Sequence, residues 1–538
     1  MSWIRSGTLL LAAALVALPA CDRGEGPLPE KRVRRTIFGM GAPVVRTTGG
    51  DTVHVSEAVA ELYKGRGYAP VWTEGENVLE RADEALQVLG NAVQDGLDPA
   101  RYRYQVALDI RREFEETEHD IDDPAEERLL GDLDVILTEG FRRYARDLAM
   151  GTLNPEEVTG YEWEIERNAD PGSTPIEAVA NGAAPSDVAS SLRPITPYYE
   201  RLMRALARYR SIEAEGGWPM VGDLPKLEPG DEHSGVARLR ARLIRGGDTT
   251  EARLAAAGSS NPRLYDESLA QAVQSFQHRH GLARDGIIGS STRDAMNVPV
   301  RQRILSLRTN MDRWRWLPRD MGSSFILVNV AGAEMEVVED DTTIMAMNVV
   351  VGKTGHETPI FQDTLEHIVV NPYWNVPESI AEEEIRPLAA RDPTYLARNN
   401  YEVVDGGRIR QRPGPTNALG QVKFLFPNRH NVYLHDTPAD HLFSQNERAF
   451  SHGCVRVERP RDLARLLFEK TTDRDADDFD QLRARDSEQW VNVDRKLPVY
   501  ILYFTAWATP TGEVHFYPDI YRRDRQLEGQ VEERLAMR

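Results

Sequence analysis

Within residues 433–456, YLHDTPADHLFSQNERAFSHGCVR, a thiol and two imidazoles stand close in the chain: Cys454, with His452 two positions before it and His435 further upstream. Groups of these types together can transfer acyl groups. A cysteine near its ordinary pKa of about 8.5 is only a few per cent thiolate at neutral pH, so acyl chemistry requires a neighbouring base or positive charge. Either His435 or His452 could supply it, and spacing alone leaves the choice to the tertiary fold. The same residues admit two plainer readings: a buried, inert cysteine, or a zinc site drawn from His430, His435, His441, His452 and Cys454. Zinc sites do not usually carry so many surplus ligands, and the expectation is no metal and no cofactor.

These side chains need strands to hold them. Residues 432–435 and 454–457 both alternate apolar and polar types, the pattern of half-buried strands, so Tyr433 and His435 share a face, as do Cys454 and Arg456. A polar loop with Asp436, Pro438 and Asp440 separates them, and Ser451, His452 and Gly453 lead into the second strand through a turn that Gly453 permits. A thiol at such a turn meets exposed backbone N–H groups.

The rest of the chain reads as several domains, in the α+β class. Residues 1–20 carry Arg5 and a short apolar run from Thr8 to Leu18, the pattern of an export signal. No later segment is apolar for long enough to span a bilayer. Two cysteines among 538 residues exclude a disulfide framework, and a net charge of −20 argues against nucleic-acid binding. Residues 21–50, rich in Gly and Pro with a basic patch, read as a tether. Residues 51–220 carry helical periodicities, among them Leu133, Ile136, Leu137, Phe141, Tyr144 and Leu148, and predict an all-helical domain. There, Asp95 and Asp98 read as a turn with a helix cap rather than as a carboxylate pair. Residues 228–297 form a second helical unit, with Phe276 in its core and turns at Gly281, Gly286 and Gly289. A β-rich domain follows over 323–505, interrupted by an acidic, helix-leaning insertion at 378–411 expected to cap the site, and a charged tail, 506–538, is expected to be solvated from Arg522.

SHGCVR, with YLHDTP upstream, resembles the catalytic signature of the L,D-transpeptidases, cysteine enzymes that cross-link peptidoglycan stem peptides. The resemblance implies that Cys454 is the nucleophile and His435 the general base, with Ser451, His452 and Gly453 around the sulfur. Many members carry Asn two positions after the cysteine; here Arg456 stands there, a guanidinium able to grip a carboxylate bidentately. The Asp436 backbone carbonyl, rather than its carboxylate, is expected to fix the imidazole tautomer. Residues 67–72 (GYAPVW), 95–99 (DGLDP) and 151–155 (GTLNP) are similar to the scaffold domain of the large L,D-transpeptidases, and AVQSFQHRHGLARDGIIGSSTRDAMN is similar to the three-helix peptidoglycan-binding module. LPAC, ending at Cys21, resembles a lipobox, implying a lipid-anchored protein of the periplasm or cell envelope.

The implied reaction joins a tetrapeptide donor stem to the side-chain amine of a second stem's diamino acid, through a Cys454 thioester, giving a 3→3 cross-link. Backbone N–H groups of Gly453 and Cys454, with the Tyr433 hydroxyl, are the oxyanion candidates. Trp374, Phe424 and Phe426 are expected as apolar walls, and Arg456 and Lys423 as partners for stem carboxylates. The family resemblance also implies acylation by β-lactams, carbapenems above all. Two other functions stay open: a carboxypeptidase or amide hydrolase using the same Cys/His pair, and a non-catalytic peptidoglycan anchor.

Overall fold

The computed structural model describes residues 28–38, 44–46, 52–117, 124–158, 163–256 and 261–536. The leader, 1–20, and Cys21 lie outside them. The N-terminal domain is built on the helix Pro124–Met150, whose apolar residues face inward on more than one side, so that Leu133, Val135, Ile136, Leu137, Phe141 and Leu148 are all buried. A helix covered this way needs partners all round. One of them corrects the tether reading: within 21–50, Leu28–Phe38 is helical and buries Val33 and Ile37 in the same core. The motif at 67–72 is strapped to the long helix by Asp134, whose carboxylate accepts the Val71 and Trp72 N–H groups, both at 2.9 Å, and the Tyr63 hydroxyl at 2.5 Å. Asp95 and Asp98 do different jobs. Asp98 caps the following turn through the Ala100 N–H at 3.0 Å, while buried Asp95 receives Arg193 at 2.8 Å and Tyr144 at 3.1 Å.

The helix Pro197–Ala214, expected in the first domain, packs in the larger core that also holds the sheet. Tyr198 stacks on Trp314 of the helix Val300–Trp316 with ring centroids 5.2 Å apart, and Trp314 stacks on Phe504 at 4.7 Å. The second helical unit closes over Leu239, Leu243, Val273 and Phe276, all buried. Gly281 and Gly286 turn with φ of +64° and +69°, whereas Gly289 has φ −88° and serves as a helix N-cap, so only the first two need glycine's freedom.

The largest sheet has, among the described residues, nine strands: β1 Ser324–Asn329, β2 Glu334–Glu339, β3 Thr342–Gly352, β4 Phe361–Val370, β5 Val422–Leu425, β6 Leu434–His435, β7 Ala449–Ser451, β8 Val455–Val457 and β9 Gln489–Leu502. Their order is β7-β3-β8-β6-β5-β4-β9-β1-β2, and the sheet closes because β3 also pairs with β2. Alternation along β5 decides two expectations. Val422 and Phe424 point into the core, so Phe424 is fully buried and is not a wall of the site; Phe426 is buried in the same core. Lys423, on the opposite face, is only partly covered.

The insertion 378–411 is a folded unit with its own small core of Val376, Ala381, Ile385 and Ile409. Its strands Tyr401–Val404 and Arg408–Gln411 form a three-stranded sheet with Trp374–Asn375, and Ala381–Ile385 is a π-helix. The tail differs from expectation. Ala506–Ala508 and Val514–Phe516 pair as a buried hairpin, and Tyr521, Arg523, Asp524 and Leu527 are buried as well. Thr505 and Arg313 hold the Asp524 carboxylate at 2.6 Å and 2.7 Å, and the hairpin receives the second helical unit, with the Phe516 N–H donating to the Arg279 carbonyl at 2.7 Å.

Candidate active site

Parallel pairing of β6 with β8 sets Leu434 opposite Val455 and His435 opposite Arg456. Alternation then puts Tyr433, His435, Cys454 and Arg456 on one face, with Tyr433 opposite Cys454 and His435 two residue pairs along. On the other side of His435, β5 presents Lys423 in register. The two strands that the sequence predicts are thus neighbours in the sheet.

His435 is almost wholly buried, and its Nδ1 donates to the Asp436 carbonyl at 2.5 Å. That fixes the tautomer and leaves Nε2 as the acceptor. The ring is held neutral: burial, then the charges on Arg456 and Lys423, push its pKa down to about 3. The Asp436 carboxylate is turned away, accepting the Gln421 N–H at 2.7 Å and the Thr437 N–H at 2.6 Å. Burial pushes the Cys454 thiol up, opposed by hydrogen bonding from the Tyr433 backbone and hydroxyl and by the Arg456 charge. The sulfur sits 3.7 Å from the Asn431 carbonyl, an acceptor the sequence did not single out. At rest the pair is thus a neutral thiol and a neutral imidazole.

His452 looks elsewhere. Its Nε2 lies 3.0 Å from Glu384 of the π-helix and 3.5 Å from Lys353 Nζ, and its ring meets His356 edge to face at 4.9 Å. Burial and then Cys454 raise the Tyr433 pKa, and Trp374, in the small sheet of the insertion, lowers it. Lys423 lies over the Trp490 ring at 5.6 Å, and burial lowers its pKa. His430, one of the zinc candidates, is turned to Glu164 at 2.8 Å.

The turn itself can be accounted for group by group. Gly453 has φ +109°, a region that favours glycine. Its N–H donates to Ser451 Oγ at 3.1 Å, and Ser451 Oγ donates to the Cys454 carbonyl at 2.5 Å. The Gly453 carbonyl accepts Thr358 Oγ1 at 2.8 Å. Of the two N–H groups expected to face an oxyanion, that of Gly453 is therefore taken, and only that of Cys454 is without a hydrogen-bond partner among the described residues.

Three domain families match this chain: residues 323–474 match the L,D-transpeptidase catalytic domain, residues 57–206 the scaffold domain, and residues 233–296 a family described as "Putative peptidoglycan binding domain". A curated relative, "Putative L,D-transpeptidase" of Haemophilus influenzae, is 32% identical over 241 residues, covering 41% of this chain and 48% of the relative. The chain thus spans about half the length of the curated relative it matches. Among solved structures, an L,D-transpeptidase from Mycobacterium smegmatis is similar at 14% identity, covering 33% of this chain and 58% of that one, with a TM-score of 0.18. Another, from Stackebrandtia nassauensis, is 14% identical, covering 51% and 94%, with a TM-score of 0.21. The chain carries an L,D-transpeptidase catalytic domain, a scaffold domain and a peptidoglycan-binding domain. No helix among the described residues is long and apolar enough to cross a membrane.

Proposed function

We propose that this chain forms 3→3 cross-links between peptidoglycan stem peptides by cysteine acyl transfer. The observation that carries this reading is the fixed His435 tautomer: with Nδ1 donating to the Asp436 carbonyl, Nε2 is left as the proton acceptor, on a strand paired with the one that follows Cys454. His435 takes the thiol proton as the sulfur attacks the carbonyl of the third, diamino-acid residue of a tetrapeptide stem. The C–N bond to the terminal D-alanine breaks, the proton passes from His435 to the leaving amine, and a thioester remains on Cys454. The side-chain amine of a second stem attacks the thioester, His435 receives the amine proton and returns it to the departing thiolate.

The Cys454 N–H and the Tyr433 hydroxyl are the donors for the oxyanion. Arg456, beside His435, has the fork geometry to hold a stem carboxylate. Trp374 is the apolar wall, and the cap formed by 378–411 limits water, which would otherwise release the acyl group as a tripeptide stem. The acid-rich chain is read as an exported protein, lipid-anchored through Cys21 in the cell envelope. Incubation of the protein with purified tetrapeptide muropeptides, followed by mass analysis, tests the reading. The expected product is a dimer lighter by one alanine than its two parts; tripeptide alone would make the protein a carboxypeptidase.

A further inference from the structure

A polar chain runs from the C-terminal segment to the turn that carries Cys454. The Tyr521 hydroxyl donates to the Gly352 carbonyl at 2.5 Å and accepts the Thr358 N–H at 3.2 Å. Thr358, wholly buried, accepts the Gly352 N–H at 2.9 Å with the same Oγ1 that donates to the Gly453 carbonyl at 2.8 Å. Tyr521 is itself held, its N–H donating to the Tyr503 hydroxyl at 3.0 Å and its ring stacked on Tyr503 at 5.6 Å. The loop fits the end of β3 so closely that a Cβ on Gly352 would lie 2.1 Å from the His356 carbonyl oxygen. Little slack remains in this corner.

The peptide plane gives the chain its consequence. A trans peptide points its C=O and N–H in opposite directions, so fixing the Gly453 carbonyl on Thr358 also fixes the Cys454 N–H, facing away from Thr358. That N–H has no hydrogen-bond partner among the described residues, whereas the Gly453 N–H and the Cys454 carbonyl are both tied to Ser451. We infer that Tyr521 and Thr358 are positioning residues for the oxyanion donor: they hold the Gly453–Cys454 peptide so that the Cys454 N–H meets the charge that develops on the attacked carbonyl. Tyr521 lies beyond the residues that match the catalytic domain family, which end at 474, so the C-terminal segment completes the site. The inference rests on the acyl-transfer reading above.

The test compares two reactions of the same sulfur. Acylation by a carbapenem passes through an oxyanion, whereas alkylation by iodoacetamide displaces iodide and builds none. Tyr521→Phe and Thr358→Val should slow the limiting rate of carbapenem acylation by about 10- to 100-fold, the scale of a mispositioned donor, with the half-saturating concentration unchanged. Iodoacetamide alkylation of the full chain should keep the parental rate, and Thr358→Ser, which retains the hydroxyl, should restore acylation. If both rates fall together in Tyr521→Phe, or if acylation keeps the parental rate, the inference is overturned while the acyl-transfer reading stands. A parent protein that no carbapenem acylates, yet iodoacetamide alkylates, overturns both.

Discussion

His452 Nε2 and Glu384 Oε1 meet at 3.0 Å, joining the catalytic turn to the π-helix of the cap. A π-helical turn inside a helical segment often marks a functional position, and here it aims a carboxylate at His452, two residues before Cys454. Burial lowers the His452 pKa, while the Glu384 charge raises it. Glu384 is half exposed, which limits what the contact can contribute.

Glu384→Gln should therefore loosen the cap only modestly. An exposed pair of this kind is worth at most about 1 kcal/mol, so the ratio of tripeptide to dimer should rise by no more than about fivefold. Product analysis by mass, at saturating tetrapeptide, measures that ratio. An unchanged ratio would remove Glu384 from any role in excluding water.

His435 and His452 should separate cleanly in kinetics. His435→Ala should slow carbapenem acylation by about 10² to 10⁴, the range for loss of a general base, and His452→Ala by less than about tenfold. Because burial and the charges on Arg456 and Lys423 hold His435 neutral down to about pH 3, the acylation rate of the parent should show no fall between pH 8 and pH 5. An acidic limb centred near 6.5 would mean that the ring titrates as an exposed histidine does, and that the base has been misplaced.

How much of this was legible in advance depended on sequence distance. The signature at 451–454 is local, and a period of two pairs Tyr433 with His435 and Cys454 with Arg456; that all four share one face follows only from the parallel pairing of β6 with β8. The same period should have separated Lys423 from Phe424; grouping them as substrate contacts ignored that adjacent strand residues face opposite ways. The buried tail hides its role behind charge. Asp524 is buried because Arg313 and Thr505 meet it, and no local pattern reveals a partner so far away in the chain. Thr358 and Tyr521 escaped for the same reason, as did the helix Leu28–Phe38, whose two core residues stand among five charged ones.

Acid stability should carry the His435 signature. Its folded pKa is depressed, so the unfolded chain binds a proton that the folded chain refuses between about pH 6.5 and about 3. The stability of burying a neutral ring is complete above the unfolded value and is lost as pH falls toward the folded one, by about 1.4 kcal/mol per unit. Urea unfolding of the parent and of His435→Gln at pH 7 and pH 5 reads this directly. The variant should lose less on acidification, by about 2 kcal/mol over that interval; equal losses would show that the ring is protonated in the folded protein.

The scaffold domain offers a prediction independent of the chemistry. Asp134 is fully buried and accepts from Val71, Trp72, Thr73 and Tyr63, so it is the acceptor for both backbone N–H groups of the segment at 71–72. Burial raises its pKa while those hydrogen bonds oppose the rise, and the segment cannot turn to water because Val71 and Trp72 are themselves in the core. Asp134→Ala leaves two buried N–H groups and two buried hydroxyls without this acceptor, a loss of about 3–5 kcal/mol. Asp134→Asn should also destabilise, since its amide presents donors to donors. Urea unfolding followed by tryptophan fluorescence, which includes Trp72, measures both, and iodoacetamide labelling of Cys454 in native buffer checks that the catalytic sheet is intact. A change below about 0.5 kcal/mol in Asp134→Ala, the size of an ordinary surface substitution, would mean that Asp134 does not hold this segment.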